Sequence, residues 1–250
     1  MFDTNRCLSI LNNIFSCISS VIFPMDCCVC GKYCSNAICD SCWNDVILIT
    51  DLACRKCSKP YFNQYLYEEG VELICEECCE NALFFERALA YGVYQDVLIK
   101  IIHEFKFNNK PYIGKHLSYK LAKLIENEDD FRNADLIISV PLHRNKERKR
   151  GYNQSYLLAK ELSKIMKIKL LKDVLYKVKD TESQSLKSMK ERRKNIRGSF
   201  LIKNEGKIKE KSVILVDDVL TTGSTVNECS RILRHAGAKK VYVLTVARTA

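Results

Sequence analysis

Residues 213–225 read VILVDDVLTTGST and decide the fold class of the chain. Four apolar residues precede two carboxylates, Asp217 and Asp218, and two more apolar residues lead into a run of small polar residues ending at Thr225. The apolar run predicts a buried strand, and the small polar residues predict a turn into a helix. The stretch therefore predicts a strand–loop–helix unit with an acidic pair where the strand leaves the sheet.

The rest of the chain from residue 86 onward alternates between short apolar runs and helical periodicity. The predicted elements are strands at 88–91, 135–140, 170–176, 199–202, 212–216 and 240–246, and helices at 95–105, 112–125, 153–166 and 224–235. Strands that are apolar at every position and separated by helices predict a parallel sheet buried on both faces. Ligands of such α/β sheets bind beyond the carboxyl ends of the strands.

The acidic pair and the polar run offer complementary groups for a sugar phosphate. The carboxylates of Asp217 and Asp218 accept hydrogen bonds from vicinal sugar hydroxyls, while hydroxyl and backbone N–H donors at a helix start bind phosphate. No Gly-Lys-Ser/Thr closes the run, so it is not a Walker loop. The alternative is an ordinary strand-to-helix turn capped by Asp and Thr, but such a turn does not require two adjacent acids.

Thirteen of the fourteen cysteines lie before residue 80, and eight of them form four consecutive C-x-x-C pairs. Two such pairs complete a closed tetrahedral thiolate site, which predicts structural zinc without an open catalytic position. Sequential pairing predicts two ions with these ligands: Cys27, Cys30, Cys39 and Cys42 for one, and Cys54, Cys57, Cys75 and Cys78 for the other. A cross-brace is an open alternative. A disulfide framework is disfavoured without a secretion signal, and redox-active pairs rarely occur four in a row.

Length and charge indicate two domains of opposite character. The 250 residues are 47% hydrophobic, enough for one α/β domain and a smaller one. Residues 1–80 hold five Lys and Arg against eleven Asp and Glu, whereas the remainder holds 35 against 19. The basic surplus favours a polyanionic partner or forms only a solvated surface.

The N-terminal stretch predicts an amphipathic surface helix that is too short in uninterrupted apolar residues to span a membrane. We therefore expect a cytoplasmic protein with no integral membrane segment. The expected parts are the N-terminal helix at 1–24, a double zinc ribbon at 25–85 and the α/β domain at 86–250.

The run from Val213 resembles the phosphoribosyl pyrophosphate (PRPP) signature of type I phosphoribosyltransferases. The whole chain resembles the ComF/ComFC family, which joins an N-terminal zinc ribbon to such a domain. The resemblance also rests on VPLHRNKERKRGYNQ at 140–154, on VLTVART at 243–249, and on Thr181, Gln184, Arg192, Asn195 and Phe200. It implies a type I phosphoribosyltransferase fold that binds PRPP, or another phosphoribosyl ligand, with Mg²⁺ and acts in DNA uptake during natural competence.

The resemblance also implies a set of site residues. Asp217 and Asp218 orient the ribose. The phosphate loop contains Thr221, Thr222, Gly223, Ser224 and Thr225, and the pyrophosphate loop contributes Pro141, Leu142 and Arg144. The polar segment 177–197 takes the place of a flexible lid, in which Lys179 and Arg192 are candidates for neutralising pyrophosphate charge. A disordered charged loop is the alternative for that segment.

The acceptor and the turnover stay open at this stage. Many purine-salvage members of the superfamily carry an aspartate three residues beyond the acid pair, where this chain has Thr221, so no base is predicted. One alternative is a factor that binds or transports single-stranded nucleic acid, with competence proteins as partners. Its candidate backbone contacts are Arg144, Lys146, Arg148, Lys149 and Arg150. Another alternative is a PRPP sensor without catalysis.

Overall fold

The computed structural model describes residues 25–62, 72–180 and 196–250. The chain divides into two compact units, one up to Asp45 and one from Val46 to Ala250. The predicted N-terminal helix and Arg192 lie outside the described residues. Within the described ranges, no helix is both long and apolar enough to cross a membrane.

The first unit is a small cysteine-bearing fold. Its β1 (Met25–Asp26) and β2 (Tyr33–Cys34) pair antiparallel, and α1 (Asp40–Asn44) follows them. Gly31 has φ 73° in the turn between the strands, a conformation that glycine adopts without a steric penalty. Its N–H donates to the carbonyl of Cys27 at 2.9 Å. This hydrogen bond closes the tight turn that a C-x-x-C pair requires.

The second unit is an α/β fold. Its elements in chain order are α2 (Glu76–Glu80), β3 (Arg87–Val93), α3 (Asp96–Phe107), α4 (Ile113–Leu124), α5 (Asp129–Arg132), β4 (Leu136–Ser139), α6 (Arg144–Arg150), α7 (Gln154–Met166), β5 (Lys169–Leu170), β6 (Leu175–Lys177), β7 (Phe200–Ile202), β8 (Ser212–Leu220), α8 (Ser224–His235) and β9 (Lys240–Arg248). Five strands form a parallel sheet in the order β3-β9-β8-β4-β5. The predicted parallel sheet is confirmed.

Burial along β8 explains why its sequence shows no alternation. The four residues from Val213 to Val216 are each 0% exposed. Because successive side chains of a strand point to opposite faces, uninterrupted burial means that both faces of this strand are covered. The centre of the sheet therefore holds the carboxyl end of β8 rigidly.

Strand β8 is longer than the sequence predicts, because it runs to Leu220 rather than ending at Val216. Its neighbour β9 also continues, so Asp217 pairs with Thr245 and Leu220 with Arg248. The acid pair consequently lies within the paired part of strand β8 and not beyond the end of the strand. The prediction that the carboxylates leave the sheet was wrong for this reason.

The predicted strand at 170–176 was also wrong, because two short strands stand in its place. Strand β5 pairs parallel with β4, whereas β6 pairs antiparallel with β7. Asp173 lies between them with φ 57°, which breaks an extended run. The β6–β7 ribbon brings together the two ends of the predicted lid segment, whose residues 181–195 lie outside the described part.

The outer edge of β3 is covered by the chain that precedes it. The N–H of Val93 donates to Ile47 O at 2.8 Å, and the N–H of Ala88 donates to Lys56 O at 2.8 Å. A Cβ at Gly92 would meet Ile47 O at 3.0 Å and the Leu98 side chain at 2.8 Å, so glycine permits this close approach. The segment from 46 to 59, including the third C-x-x-C pair, thus protects the sheet edge.

Candidate functional site

The acid pair forms a buried, partly compensated charge cluster at the end of β8. Asp217 and Asp218 are 8% and 4% exposed. The Ser155 hydroxyl and the Asp218 N–H both donate to Asp217 Oδ1, at 2.7 and 2.9 Å. Lys106 Nζ lies 2.9 Å from Asp218 Oδ2. Burial, followed by the charge of Asp218, raises the pKa of Asp217 to about 7, and Ser155 and Lys106 act against this rise.

The predicted phosphate loop begins after the last two residues of β8, Val219 and Leu220. Its members are Thr221, Thr222, Gly223, Ser224 and Thr225. Gly223 has φ 71° and precedes the first residue of α8, while the Thr222 and Ser224 hydroxyls lie 2.9 Å apart. The first N–H groups of a helix have no intrahelical partner, and the helix dipole favours an anion there. The loop therefore presents donors for a phosphate beside two carboxylates suited to a diol.

Arg248 connects this loop to the second cysteine set, which is formed by Cys54, Cys57, Cys75 and Cys78. This role was not identified from the sequence. Its guanidinium is 3% exposed at the end of β9. Nη1 donates to the carbonyls of Thr221 and, at 2.8 Å, Thr249. Nε donates to Cys57 O at 3.1 Å, and Nη2 lies 3.7 Å from Cys57 Sγ and 3.8 Å from a Glu77 oxygen. One buried side chain thus fixes the loop and a cysteine turn together.

A cavity of about 210 Å³ lies between the loop and the second cysteine cluster. Its lining includes Thr222, Ser224 and Arg197. Nearby, Glu228 accepts from the Gly198 N–H at 3.0 Å and from the Arg231 guanidinium at 2.9 Å. The ion pair with Arg231 lowers the pKa of Glu228, so this carboxylate stays charged. The residue that follows the predicted lid segment, Gly198, is thereby attached to α8.

A second cavity of about 600 Å³ lies at the end of β4. It is lined by three residues of the predicted pyrophosphate loop, Pro141, Leu142 and Arg144, and by Lys177. Because β4 and β8 are neighbouring parallel strands, the two predicted loops leave the sheet at the same edge. The geometry therefore brings the pyrophosphate loop to the same side as the acid pair.

Lys177 is a better placed cation than the predicted Lys179. Lys177 lines the larger cavity, whereas Lys179 is exposed beside Gly198. Burial, followed by the charge of Lys146, lowers the pKa of Lys177, and the charge of Asp217 opposes that shift. The two lysines differ in their surroundings, because Lys177 ends β6 and is partly buried, whereas Lys179 lies beyond the strand and is exposed.

The basic run at 144–150 forms α6, with the His143 side chain accepting from the N–H of Asn145 at its start. Its cations differ in what they contact. Arg150 lies 4.9 Å from the centre of the Phe107 ring and donates to Gln154, so it serves packing. Arg148 and Lys149 are exposed. The five predicted nucleic-acid contacts therefore do not form one uniform surface.

The eight cysteines of the C-x-x-C pairs converge as two sequential sets, and no disulfide joins any of the described cysteines. Within each set the four sulfur atoms lie within 4.8 Å of one another. In the second set, the Cys75 N–H donates to Cys54 Sγ at 3.3 Å. The hydrogen bond with Cys57, followed by that N–H, lowers the pKa of Cys54 to about 4. Four convergent thiols with an ionised member fit structural zinc, and their chemistry leaves no open position.

The acid pair does not make a magnesium cage. In the described part of the chain, the groups of three or more His, Cys, Asp or Glu side chains that could hold an ion are the two cysteine sets. Asp218 Oδ2 faces the Lys106 ammonium instead. Mg²⁺ usually keeps several waters and takes one or two carboxylates together with substrate phosphates, so any Mg²⁺ at this site would depend on the oxygens of a bound ligand.

Comparison with known proteins agrees with this architecture. A phosphoribosyl transferase domain family matches residues 149–250, and a double zinc ribbon domain family matches residues 18–84. Competence protein F of Haemophilus influenzae is 34% identical over 178 residues, covering 70% of this chain and 78% of that protein. DNA utilization protein YhgH of Escherichia coli O157:H7 is 30% identical, covering 78% and 84%. Competence protein ComFC of Bacillus subtilis is 25% identical, covering 85% and 84%.

Solved structures give a weaker similarity. A purine phosphoribosyltransferase from Pyrococcus horikoshii Ot3 superposes with a TM-score of 0.34 at 21% identity, covering 53% of this chain and 70% of that chain. The fold class rests instead on the two family matches, the strand order and the cysteine sets. Together they show a type I phosphoribosyltransferase fold preceded by a double zinc ribbon.

Proposed function

Because this chain belongs to the competence protein F family, which includes ComFC and YhgH, we propose that it binds PRPP or another phosphoribosyl ligand and acts in DNA uptake. The observation that carries the ligand proposal is the sequence of groups at the end of β8. Two buried carboxylates, Asp217 and Asp218, lie near the end of β8, and the loop that leaves the strand has its donors at the start of α8.

The ligand would lie along the carboxyl edge of the sheet. Its ribose hydroxyls donate to Asp217 and Asp218, and its 5-phosphate accepts from the loop at 221–225. Its pyrophosphate then reaches toward the cavity lined by Arg144 and Lys177. Mg²⁺ enters this proposal only as a companion of the pyrophosphate, carried by the ligand's own oxygens.

A transferase reaction at this site would break one bond and form one. The acceptor's nucleophile bonds to C1 of the ribose while the C1–O bond to pyrophosphate breaks, and pyrophosphate leaves with the electron pair. Arg144 and Lys177 would stabilise the charge that develops on the leaving group, helped by Lys179 and Arg192 of the lid segment. The protein's contribution is positioning and electrostatics.

The test is calorimetric titration of PRPP with MgCl₂ into the zinc-loaded wild type and an Asp217→Asn, Asp218→Asn variant. We expect binding to the wild type and at least about a hundredfold loss in the variant, since both charged acceptors disappear. The matched control is Asp129→Asn with Asp130→Asn, an adjacent acidic pair on the surface. Equal affinity of the wild type and the first variant would remove the site assignment.

Turnover is separated from sensing by pyrophosphate release. The wild type is incubated with PRPP and individual bases, amines or a single-stranded oligonucleotide, and free pyrophosphate is measured. Release above the rate of the double Asn variant identifies a transferase and its acceptor class. Saturating binding without release across the panel identifies the sensor.

A second candidate function, contact with single-stranded DNA, is favoured by the exposed cations of α6. Arg148 and Lys149 both point to solvent on a helix that begins beside the pyrophosphate loop. Affinity for a fluorescent oligonucleotide should fall with salt, and Arg148→Gln with Lys149→Gln should reduce the slope of log affinity against log salt by about 1.4. The exposed Lys164→Gln change on α7 is the control. An unchanged slope in the double variant rejects this surface.

A cytoplasmic location and association with competence proteins belong to the same proposal. Two sets of free thiols suited to zinc are typical of a reducing compartment, where structural disulfides are rare. Cell fractionation tests the location. Recovery of the chain mainly with the periplasm or medium would contradict it.

A further inference from the structure

Lys106 stands out because its ammonium is placed at the acid pair by a rigid helix end. It lies in the last turn of α3, with its side chain 18% exposed and its Nζ 2.9 Å from Asp218 Oδ2. The neighbouring Phe105 is 0% exposed, and its carbonyl accepts from the Tyr152 hydroxyl. The backbone that carries this lysine is therefore anchored through Phe105.

The turn after α3 strengthens this placement. The Asn108 N–H donates to Glu104 O at 3.3 Å, and Lys110 pairs with the Glu104 carboxylate at 2.7 Å. The helix end is thus closed by its own contacts and does not depend on the acid pair. A ligand that takes over Asp218 leaves the Lys106 ammonium beside the ligand's oxygens.

The charge balance of the site indicates that this ammonium offsets one of the two carboxylate charges. Asp217 and Asp218 are adjacent, buried carboxylates that repel each other, yet both must be ionised to accept two sugar hydroxyls. A divalent cation brought by a ligand is one means of offsetting such a pair, but the fold already places the Lys106 ammonium 2.9 Å from Asp218 Oδ2. An ammonium with three donors offsets one charge and retains donors for the ligand.

We propose that Lys106 is the built-in counter-ion of the acid pair, so that a pentose 5-phosphate with free vicinal hydroxyls binds without a divalent cation. The inference rests on the proposed function, because it concerns the same ligand site. It makes Lys106 a ligand-binding residue and assigns Mg²⁺ to the pyrophosphate alone. The sugar phosphate itself then becomes a ligand of the resting protein.

The experiment is calorimetric titration of ribose 5-phosphate into the zinc-loaded full chain, in buffer freed of other divalent cations by a resin and again with MgCl₂. We expect the wild-type affinity to agree within about twofold in the two buffers. Lys106→Met should bind at least about tenfold more weakly in both, since a charge-assisted contact is lost. Lys106→Arg should retain Mg²⁺-independent binding. Lys100→Met, which removes an exposed charge from the same helix, is the control.

The outcomes separate this inference from the proposed function. A wild type that binds ribose 5-phosphate only with MgCl₂ overturns the counter-ion role, whether or not the variants fold. Equal affinity of the wild type and Lys106→Met overturns it as well, while the proposed function stands. A wild type that binds neither ribose 5-phosphate nor PRPP in either buffer overturns both.

Discussion

The two cysteine sets have the same chemistry and different surroundings. The first set lies on the β1–β2 turn and at helix α1 of its own compact unit, and its Cys30 is exposed. In the second set, Cys54, Cys57 and Cys75 are buried, and the cluster belongs to the unit that holds the parallel sheet. Four closely spaced thiols therefore form a site suited to zinc in both sets. The contacts of the surrounding residues show which other part of the fold each site stabilises.

The contacts of the second set reach the ligand loop. Arg248 bonds to Cys57 O and to Thr221 O, and the Ser58 hydroxyl donates to Ala88 O in β3 at 2.8 Å. A closed metal site that fixes a buried arginine can position a loop without contacting the ligand. The comparison teaches that one zinc ribbon can stabilise its own fold while the other also braces a binding site.

The largest effect is expected from breaking the second set. Cys57→Ser should lose one zinc ion and destabilise the sheet unit by about 4 kcal/mol, as expected for a lost metal site. Cys42→Ser should lose the other ion and leave the main melting transition in place, because Cys42 belongs to the first unit. Native mass spectrometry and thermal melting measure both quantities. Two bound ions and wild-type melting in Cys57→Ser would contradict the assignment.

The next largest effect is expected from removing the Arg248 side chain while both metal sites stay intact. Arg248→Met should cost about 3 kcal/mol, because several buried carbonyl acceptors lose a charged donor. It should retain both zinc ions and weaken PRPP binding. Arg234→Met, which loses one hydrogen bond to Ala238 O, is the matched control. Wild-type PRPP affinity in Arg248→Met would show that the loop does not need this brace.

A smaller effect is expected at Asn227, which connects the end of the zinc-ribbon region to helix α8. The Asn227 side chain accepts from the Phe84 N–H at 2.8 Å and donates to Ala82 O at 3.0 Å. Asn227→Ala should destabilise the unit by about 1–2 kcal/mol. Urea unfolding measures this, with the exposed Asn133→Ala as control. An effect no larger than that of the control would reduce Asn227 to a surface contact.

The smallest effect is expected from protonation of the acid pair, which belongs to the unit that holds the parallel sheet. Burial raises the pKa of Asp217 to about 7, so ribose 5-phosphate affinity should rise as the pH increases from 6 to 8 and the carboxylate ionises. The stability that this raised pKa contributes is full below the ordinary carboxyl pKa and is lost as the pH rises through about 7. Ser155→Ala should move the binding profile to higher pH, because Ser155 lowers this pKa. Identical profiles would contradict the role of Ser155.

Local patterns predicted the sheet and the acid pair because apolar runs and adjacent carboxylates are both visible in short stretches of sequence. Continuous apolar residues marked β8, and helix α8 begins at Ser224 and ends at His235 as predicted. The sequential convergence of the cysteines matches the first pairing considered. The end of β8 was misjudged because a strand continues as long as its neighbour supplies partners, and β9 supplies them up to Arg248.

The missed residues act through contacts between distant parts of the chain. Lys106 meets Asp218 across 112 positions of sequence, and a lysine near a helix end gives no sign of such a partner. Arg248 carried a weak signal, since a charged residue that closes an apolar strand must find buried acceptors. Lys177 differs from Lys179 because it ends β6 and lines the larger cavity, whereas Lys179 lies beyond the strand and is exposed.

The most direct measurement of the central claim is hydrogen exchange of the zinc-loaded protein with and without PRPP and MgCl₂. The account predicts that peptides covering 217–227 become strongly protected, because the helix-start N–H groups of α8 and the neighbouring loop bind the phosphate. Peptides covering the first cysteine set should exchange as before. Unchanged exchange across 217–227 at saturating PRPP would contradict the account.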